Sequence, residues 1–352
     1  MRQLCAVLAL FAFPGTDASG VVSNLFRDGG VDRDAKWQHF HDAIKYNQAS
    51  CAALCVCDVE GAQLFSSIHG EAVCLLEAVL RNCTLTSTSL RIQKAEHWAN
   101  CSSADLHACF LKPLHACPAA SLARAPQMRF SATQYYGLHG EKFPGSRIAV
   151  RFGVRGRLRV FAEVVGYVLR PRARVAARVA AVASTLGLAG VPGDAVTAHS
   201  RQTDKRETFH GGVAGDAPAT ALLARHIAWT LGLGTIHFMT DAPHHISAVQ
   251  NAVRADTSLP AVRIAALEVQ SSDWVADLLA EIIVAGQGAA LVGPLASNVD
   301  RVIYELMALV SYPPIVEDLY HESWVPGAEH LVPPGRPGVT AAAEWQHAIS
   351  GP

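Results

Sequence analysis

The chain has 352 residues, of which 50% are hydrophobic and 17% charged, and its formal net charge is -1. This is a globular composition, which argues against a disordered chain and against a nucleic-acid binder, since the latter carries a basic excess. The length is sufficient for two domains, or for one large domain with a substantial core.

The first 19 residues form an apolar leader. Arg2 precedes an apolar run from Leu4 to Phe13, and Pro14 and small residues around Ala18 follow. This order is typical of a secretory signal peptide, whose apolar run is too short to span a bilayer comfortably. A short signal-anchor and a buried first helix are the alternatives. No later segment is apolar for long enough to cross a membrane, so we expect membrane association only through this leader.

Cysteines are concentrated in the first third of the chain. One of the nine, Cys5, lies in the leader, and the other eight lie between Cys51 and Cys117. An even number of cysteines in an oxidising compartment predicts four disulfides, with a pairing that the sequence does not specify. The run CAALCVC also suggests a metal site, but no Cys/His pair follows it at zinc-finger spacing. The chain is therefore expected in the lumen of the secretory pathway, or outside the cell.

Before residue 190 the pattern is mainly helical or mixed. Residues 71–83, EAVCLLEAVLRNC, place apolar side chains on one face and predict an amphipathic helix. Residues 126–156 show no clear period and are interpreted as connecting structure. Residues 156–188 are helical in pattern, and Pro171 is expected to end a first helix, with a second from about Arg172 to Thr185.

From Asp194 onward, short apolar segments alternate regularly with helical ones. Strands are predicted at 195–200, 235–241, 261–268 and 289–295, and helices at 219–233, 244–255, 273–288 and 297–310. This alternation predicts a parallel, Rossmann-like sheet that is covered on both faces. Such sheets bind their ligands beyond the carboxyl ends of the strands.

The first of these strands ends in the polar stretch VTAHSRQTDKRE (196–207). Arg201 offers a planar guanidinium that can hold two phosphate oxygens, which a lysine cannot do in the same geometry. His199 can bond a ribose or a base, and Asp204 can hold Arg201 or Lys205 in place. A solvated loop after a strand is the alternative interpretation.

Two further strand ends carry polar residues. Asp241 follows the second strand, and Ser297 follows the last one, where it can cap the next helix and leave its backbone N–H groups for an anion. Glu281 lies on the helix before that strand. Singly, these are ordinary turn, cap and surface residues, but together they line one edge of a sheet and indicate a nucleotide-type ligand.

Several common nucleotide and metal motifs are missing from the sequence. No GxGxxG or GxxxxGK[ST] follows any predicted strand, which argues against a dinucleotide fold and a P-loop enzyme. No HExxH and no DxD triplet is present. We therefore expect no metal site and no cofactor.

At these same strand ends the sequence resembles the α1,6-fucosyltransferases, which place core fucose on N-glycans. HSRQTDK (199–205) resembles their signature His-x-Arg-Arg-Thr-Asp-Lys, and FMTDAP (238–243) is similar to their Thr-Asp-Asp-Pro loop. Residues 278–307 are similar to their last long motif, and VEDLYHESW (316–324) to their Asp-Asp-Ile-Tyr segment. The resemblance covers about 160–325 and is weak in the cysteine-rich half, where it rests on 61–80.

The resemblance implies a GT-B-like α/β fold with a C-terminal Rossmann-like sheet, and GDP-fucose as the donor. It implies an inverting, metal-independent transfer of fucose to an N-glycan or glycoprotein acceptor, foremost α1,6 to the core GlcNAc, in the Golgi. The expected organisation is a leader at 1–19, a disulfide-rich acceptor-side domain at 20–157, a GDP-fucose-binding domain at 158–325 and a loosely ordered tail at 326–352.

The resemblance also implies roles for individual residues. By position, Arg201 would bind the β-phosphate of GDP, His199 and Glu281 would contact the guanosine, and Ser297 would hold the phosphate. Asp204 and Asp241 complete the donor-binding set. The catalytic set consists of Arg201 and Lys205, which would stabilise the departing GDP, and Glu207, the candidate base for the acceptor hydroxyl.

Three positions depart from the family pattern. Gln202 replaces its second arginine, Ala242 replaces its second loop acid, and Phe209 stands where its catalytic glutamate is expected. Two alternatives therefore remain: a protein O-fucosyltransferase-like enzyme with the same donor, and a catalytically silent binder of a GDP-sugar or glycan. A secreted structural protein would explain the cysteines but not the polar strand ends.

Overall fold

The computed structural model describes residues 35–58, 64–88, 106–124, 127–131, 144–154, 157–188, 192–201, 216–267, 273–295, 297–310 and 314–319. The predicted leader and the predicted tail lie outside these residues, and so does the segment 202–215.

The N-terminal half contains a small parallel sheet with helices packed on it. Its elements are α1 (Ala35–Ser50), β1 (Leu54–Asp58), α2 (Leu64–Arg81), β2 (Thr84–Thr88), α3 (Leu106–Cys109), α4 (Ala119–Arg124), β3 (Gln127–Ser131) and α5 (Pro144–Phe152). β1 is the central strand, parallel to β2 on one side and to β3 on the other. The sequence did not predict this sheet, because TLTST and QMRFS are short and largely polar. The prediction of connecting structure over 126–156 is wrong, since β3 and α5 lie there.

Disulfides fasten this half together around β1. Cys55 and Cys57 of that strand pair with Cys83 and Cys74, and Cys51 pairs with Cys117. Cys109 is disulfide-bonded as well. The predicted disulfide-rich N-terminal half is confirmed, and CAALCVC supplies disulfides rather than metal ligands. Because disulfides are rare in the reducing cytosol, they indicate a secretory or extracellular compartment.

The C-terminal half is built on a five-stranded parallel sheet. Its elements are α6 (Arg157–Val168), α7 (Ala173–Leu186), β4 (Val196–Ser200), α8 (Ala217–Thr230), β5 (Thr235–Thr240), α9 (Ile246–Ala255), β6 (Arg263–Ala265), α10 (Trp274–Ala285), β7 (Ala290–Gly293), α11 (Asn298–Val310) and β8 (Ile315–Asp318). The strand order is β6-β5-β4-β7-β8. The predicted α/β class, with a Rossmann-like parallel sheet in the C-terminal half, is confirmed.

Local sequence explains where these elements begin and end. Asp216 caps α8, because its carboxylate accepts a hydrogen bond from the backbone N–H of Ala219 at 3.1 Å. α7 ends at Gly187, which adopts the left-handed conformation at φ 63°. The predicted alternation is confirmed with small shifts, and only β8 was not predicted, since IVED is a four-residue segment with two acids.

The two faces of the large sheet pack differently. Val196, Ala198, Ile236 and Phe238 point to one face and form a core with α8 and α9. The other face, which includes Met239, joins a second core that continues into the N-terminal half. The large sheet is therefore covered on both faces, as predicted from its apolar strands.

One helix connects the two halves. α6 packs against α2 on one side and against α11 on the other. Gly166 of α6 permits the second contact, since a Cβ atom there would lie 2.6 Å from Cδ1 of Leu309. None of the described helices is long and apolar enough to span a bilayer.

Candidate ligand site at the carboxyl edge of the large sheet

The strand order marks one position on the large sheet as the ligand crevice. Chain order runs outward from β4 through β5 to β6, and then from β7 to β8 on the other side. The direction reverses between β4 and β7, and open parallel sheets bind ligands beyond the carboxyl ends of the two strands at such a point. In this chain the crevice is therefore flanked by the residues that follow Ser200 and Gly293.

Arg201 and Ser297 come together at this point. Arg201 follows β4 directly, and its Nη1 lies 3.5 Å from Oγ of Ser297, in the connection between β7 and α11. The backbone carbonyl of Ser297 accepts a hydrogen bond from the N–H of Arg301 at 3.1 Å, so Ser297 occupies the N-cap position of α11. A guanidinium thus lies beside the start of a 13-residue helix, and both groups favour an anion.

Arg301 fixes the turn that carries Ser297. Its Nε donates to the carbonyl of Leu295 at 2.5 Å, and the Arg301 side chain is buried. The N–H of Ser297 donates to the carbonyl of Pro294 at 2.7 Å. The connection between β7 and α11 is therefore held by one hydrogen bond from α11 and by another within the connection itself.

A buried histidine–aspartate pair involves the end of β4, just before Arg201. Nδ1 of His199, near the end of β4, is 2.7 Å from Oδ2 of Asp300, in the first turn of α11. Because an ionised carboxylate only accepts hydrogen bonds, the proton lies on Nδ1. Burial opposes the charged imidazole, but the charge and hydrogen bond of Asp300 outweigh it and raise the pKa of His199 above its ordinary value.

Gly293 makes room for this pair. A Cβ atom at Gly293, the last residue of β7, would overlap Oδ1 of Asp300. Glycine at this position leaves room for the Asp300 carboxylate beside the last residue of β7. Neither Asp300 nor Gly293 stands out in the sequence, because each acquires its role only when β4, β7 and α11 meet.

Asp241 adds a carboxylate to the same edge. It follows β5, where the backbone N–H of Ala242 donates to Oγ1 of Thr240 at 3.1 Å and forms the predicted turn. Asp241 is exposed, and its charge acts to raise the pKa of His199. We name His199, Arg201, Asp241, Ser297 and Asp300 the edge cluster.

Glu281, on α10, lies further from the carboxyl edge of the sheet than was expected of a donor-binding residue. Its Oε1 is 3.6 Å from Nε2 of His237, which pairs with Thr197 in the sheet. His199 lies two residues further along β4. Within the described residues Glu281 therefore contacts His237 rather than the edge cluster, and its guanosine contact stays a prediction.

The rest of the predicted site lies outside the described residues. Asp204, Lys205 and Glu207 belong to the segment 202–215, as do the departures Gln202 and Phe209. Their roles also stay predictions. Ala242, the third departure, is buried at the turn after β5.

The described part of the site is suited to an anionic ligand. Arg201 and the start of α11 carry positive charge, and the charge of Asp300 is compensated by His199. Among the described residues, no three His, Cys, Asp or Glu side chains are grouped so as to hold a metal ion. The arrangement matches the needs of a diphosphate, which two charge-assisted donors can hold from different sides.

Comparisons with known proteins give remote structural similarity only. Neither a protein-family model nor a curated protein sequence matches the chain. A structure of POFUT1 in complex with GDP is 9% identical, over 77% of this chain and 98% of that one, with a TM-score of 0.40. A mutant of Arabidopsis thaliana FUT1 in complex with GDP is 10% identical, over 84% and 78%, with a TM-score of 0.43. POFUT1 in complex with GDP-fucose is 10% identical, over 88% and 87%, with a TM-score of 0.36.

Proposed function

We propose that this protein is an inverting, metal-independent glycosyltransferase that moves fucose from GDP-fucose to a glycan acceptor. The acceptor we propose first is the core GlcNAc of an N-glycan, in α1,6 linkage. One observation carries the proposal: Arg201 and Ser297 lie together at the start of α11, at the point where the sheet reverses its strand order. The resemblance of residues 199–205 to the fucosyltransferase signature supports the same donor.

The mechanism assigns the donor to the edge cluster. Arg201 binds the β-phosphate, Ser297 and the first N–H groups of α11 bind the diphosphate, and His199 and Glu281 contact the guanosine. Asp204 holds Arg201 or Lys205 in place, and Asp241 completes the donor-binding set. These contacts bind the leaving group, whose negative charge grows as the bond to fucose breaks.

Transfer is a single displacement at the anomeric carbon. A carboxylate, for which we propose Glu207, removes the proton of the acceptor hydroxyl, and the oxygen attacks the carbon from the face opposite GDP. The bond from carbon to the phosphate oxygen breaks with its electron pair, so GDP leaves as an anion and the configuration inverts. Arg201 and Lys205 stabilise that anion without a metal ion.

We assign the donor to residues 158–325 and the acceptor to residues 20–157. The acceptor glycan would approach the crevice from the side of residues 20–157. We place the reaction in the lumen of the secretory pathway, with the Golgi as first choice, where both GDP-fucose and glycoproteins are present. A protein O-fucosyltransferase is the second enzymatic assignment, since it uses the same donor.

Three departures from the family pattern favour a further candidate function, a catalytically silent binder of a GDP-sugar. Gln202, Ala242 and Phe209 stand where the family has an arginine, an acid and the catalytic glutamate. The loss of the arginine at position 202 weakens the phosphate contacts, and the changes at positions 242 and 209 remove carboxylates. Such a protein would bind GDP-fucose without turnover.

The test is GDP release by residues 20–352, supplied with GDP-fucose in EDTA. The acceptors are an N-glycan with an exposed core GlcNAc and, separately, an unglycosylated protein. Acceptor-dependent release that is lost in Arg201→Ala supports the enzyme, and the acceptor that is used decides between the two assignments. Arg254→Ala, an exposed arginine on α9, is the matched control. Binding of GDP-fucose without GDP release in the presence of either acceptor supports the silent binder. A fully active Arg201→Ala variant contradicts the proposed site.

A further inference from the structure

The His199–Asp300 pair has features that packing alone does not require. Both side chains are buried, with Asp300 fully enclosed, and Oδ1 of Asp300 has no hydrogen-bond partner. A buried carboxylate with an unpaired oxygen is unfavourable, and an apolar pair of similar volume is often at least as stable. The chain also needs a glycine at 293 to accommodate this carboxylate.

The geometry gives His199 a defined orientation. Nδ1 is engaged by Asp300, and Nε2 makes no hydrogen bond to any described residue. His199 lies on β4, two residues before Arg201, at the strand that borders the crevice. The ring nitrogen that remains for a ligand is therefore Nε2.

We propose that Asp300 is a positioning residue for the donor, which holds His199 as an imidazolium whose Nε2–H bonds a phosphate oxygen of a nucleoside diphosphate. This inference rests on the proposed function and deepens it, with the diphosphate in place of the guanosine as the part of the ligand that His199 contacts. It gives the crevice a second cationic donor beside Arg201. An imidazolium donates from both nitrogens at once, whereas a neutral ring with its proton on Nδ1 offers the phosphate only a lone pair.

The charged groups around His199 support the imidazolium. Asp300 and Asp241 favour it, Arg201 opposes it, and burial opposes it most, yet the sum raises the pKa of the ring. The charge is therefore present below the ordinary pKa of histidine and is lost as pH rises through the raised value. A bound diphosphate would shift the loss to still higher pH.

The test is the affinity for GDP from pH 5.5 to 8.5, measured by calorimetry on wild type and on Asp300→Asn. Asparagine keeps an acceptor for Nδ1–H but removes the charge. We expect the decline of affinity to move to lower pH by about one unit, so that binding near pH 7.5 weakens about tenfold. Glu71→Gln is the control, because Glu71 forms a similar buried pair with His107, at 2.9 Å, in the N-terminal half.

The outcomes separate this inference from the proposed function. An unchanged pH profile in Asp300→Asn, or an equal loss at every pH, overturns the positioning role and leaves GDP binding intact. No GDP binding by wild type overturns both. If Asp300→Asn does not fold, the ¹⁵N shifts of the His199 ring in the wild type decide, with His199→Gln used for assignment. Two protonated nitrogens at pH 7 are expected, and a neutral ring contradicts the inference.

Discussion

His69 of α2 and Glu305 of α11 form a buried pair across 236 positions of the chain, with Nε2 and Oε2 2.9 Å apart. The His69 ring also stacks on Phe161 of α6, with centroids 5.7 Å apart. Helices α2, α6 and α11 therefore meet at one polar contact inside an apolar core. The second carboxyl oxygen of Glu305, Oε1, has no hydrogen-bond partner among the described residues.

Removing His69 should destabilise the whole chain. In His69→Ala the Glu305 carboxyl loses its hydrogen-bond partner inside the core, which we expect to cost about 1–3 kcal/mol in the free energy of unfolding. Denaturant unfolding at neutral pH measures this cost. Arg147→Ala removes the exposed ion pair with Glu77 and should cost less than about 1 kcal/mol. Similar losses of unfolding free energy in the two variants would show that the buried pair contributes no more to stability than the exposed one.

Glu305 should also make stability depend on pH. Burial raises the pKa of its carboxyl, and the opposing effect of His69 does not cancel this. The folded state therefore binds a proton more readily than the unfolded state, and this contribution is full below the ordinary pKa of glutamate. It is lost as pH rises through the raised value. In Glu305→Gln that slope should disappear from unfolding curves taken across the same range, and a slope equal to that of wild type would contradict the assignment.

Arg225 should be irreplaceable by lysine. It is 2% exposed on α8, and its guanidinium donates to the carbonyls of Asp256, Leu259 and Pro260 and pairs with the Asp256 carboxylate at 2.8 Å. Lysine cannot reach these acceptors together, so we expect Arg225→Lys to cost about 2–4 kcal/mol. Arg254→Lys, on the exposed face of α9, is the control. A loss below about 1 kcal/mol in Arg225→Lys would mean that the turn holds without the guanidinium.

Gly293→Ala should damage ligand binding. The new methyl group would overlap Oδ1 of Asp300 and force the start of α11 away from β7. GDP affinity should fall about tenfold or more, since a displaced Ser297 weakens contact with the diphosphate. Gly234→Ala provides the comparison, because nothing lies within 4 Å of a Cβ atom there. Equal GDP affinities in the two variants would contradict the proposed position of the site.

The sequence predicts the large sheet well because its strands are short apolar runs between clear helices. VTAHS and TIHFMT are buried on both faces, and such runs need a parallel sheet. The small sheet was missed because TLTST carries no such signal, although the Cys55–Cys83 disulfide joins β1 to the residue just before it. Pairing of cysteines depends on the fold and cannot be read from their spacing.

The candidate site was predicted only in part. Strand ends lead to His199, Arg201, Asp241 and Ser297, because these residues lie at or just after the ends of apolar runs. Asp300 is different, since it lies in a helix and contacts His199 across 101 positions. A polar residue at one turn of an apolar helix is usually exposed, so nothing local distinguishes it.

The most direct test of the central claim is a calorimetric titration of residues 20–352 with GDP in EDTA, beside Arg201→Ala and Arg254→Ala. We expect saturable binding of one GDP per chain by wild type and by Arg254→Ala. We expect a loss of at least about a hundredfold in affinity for Arg201→Ala, since the guanidinium is the main cation facing the diphosphate. Absence of binding by wild type, or equal affinities in all three proteins, would contradict the claim that the carboxyl edge of the large sheet binds a nucleoside diphosphate.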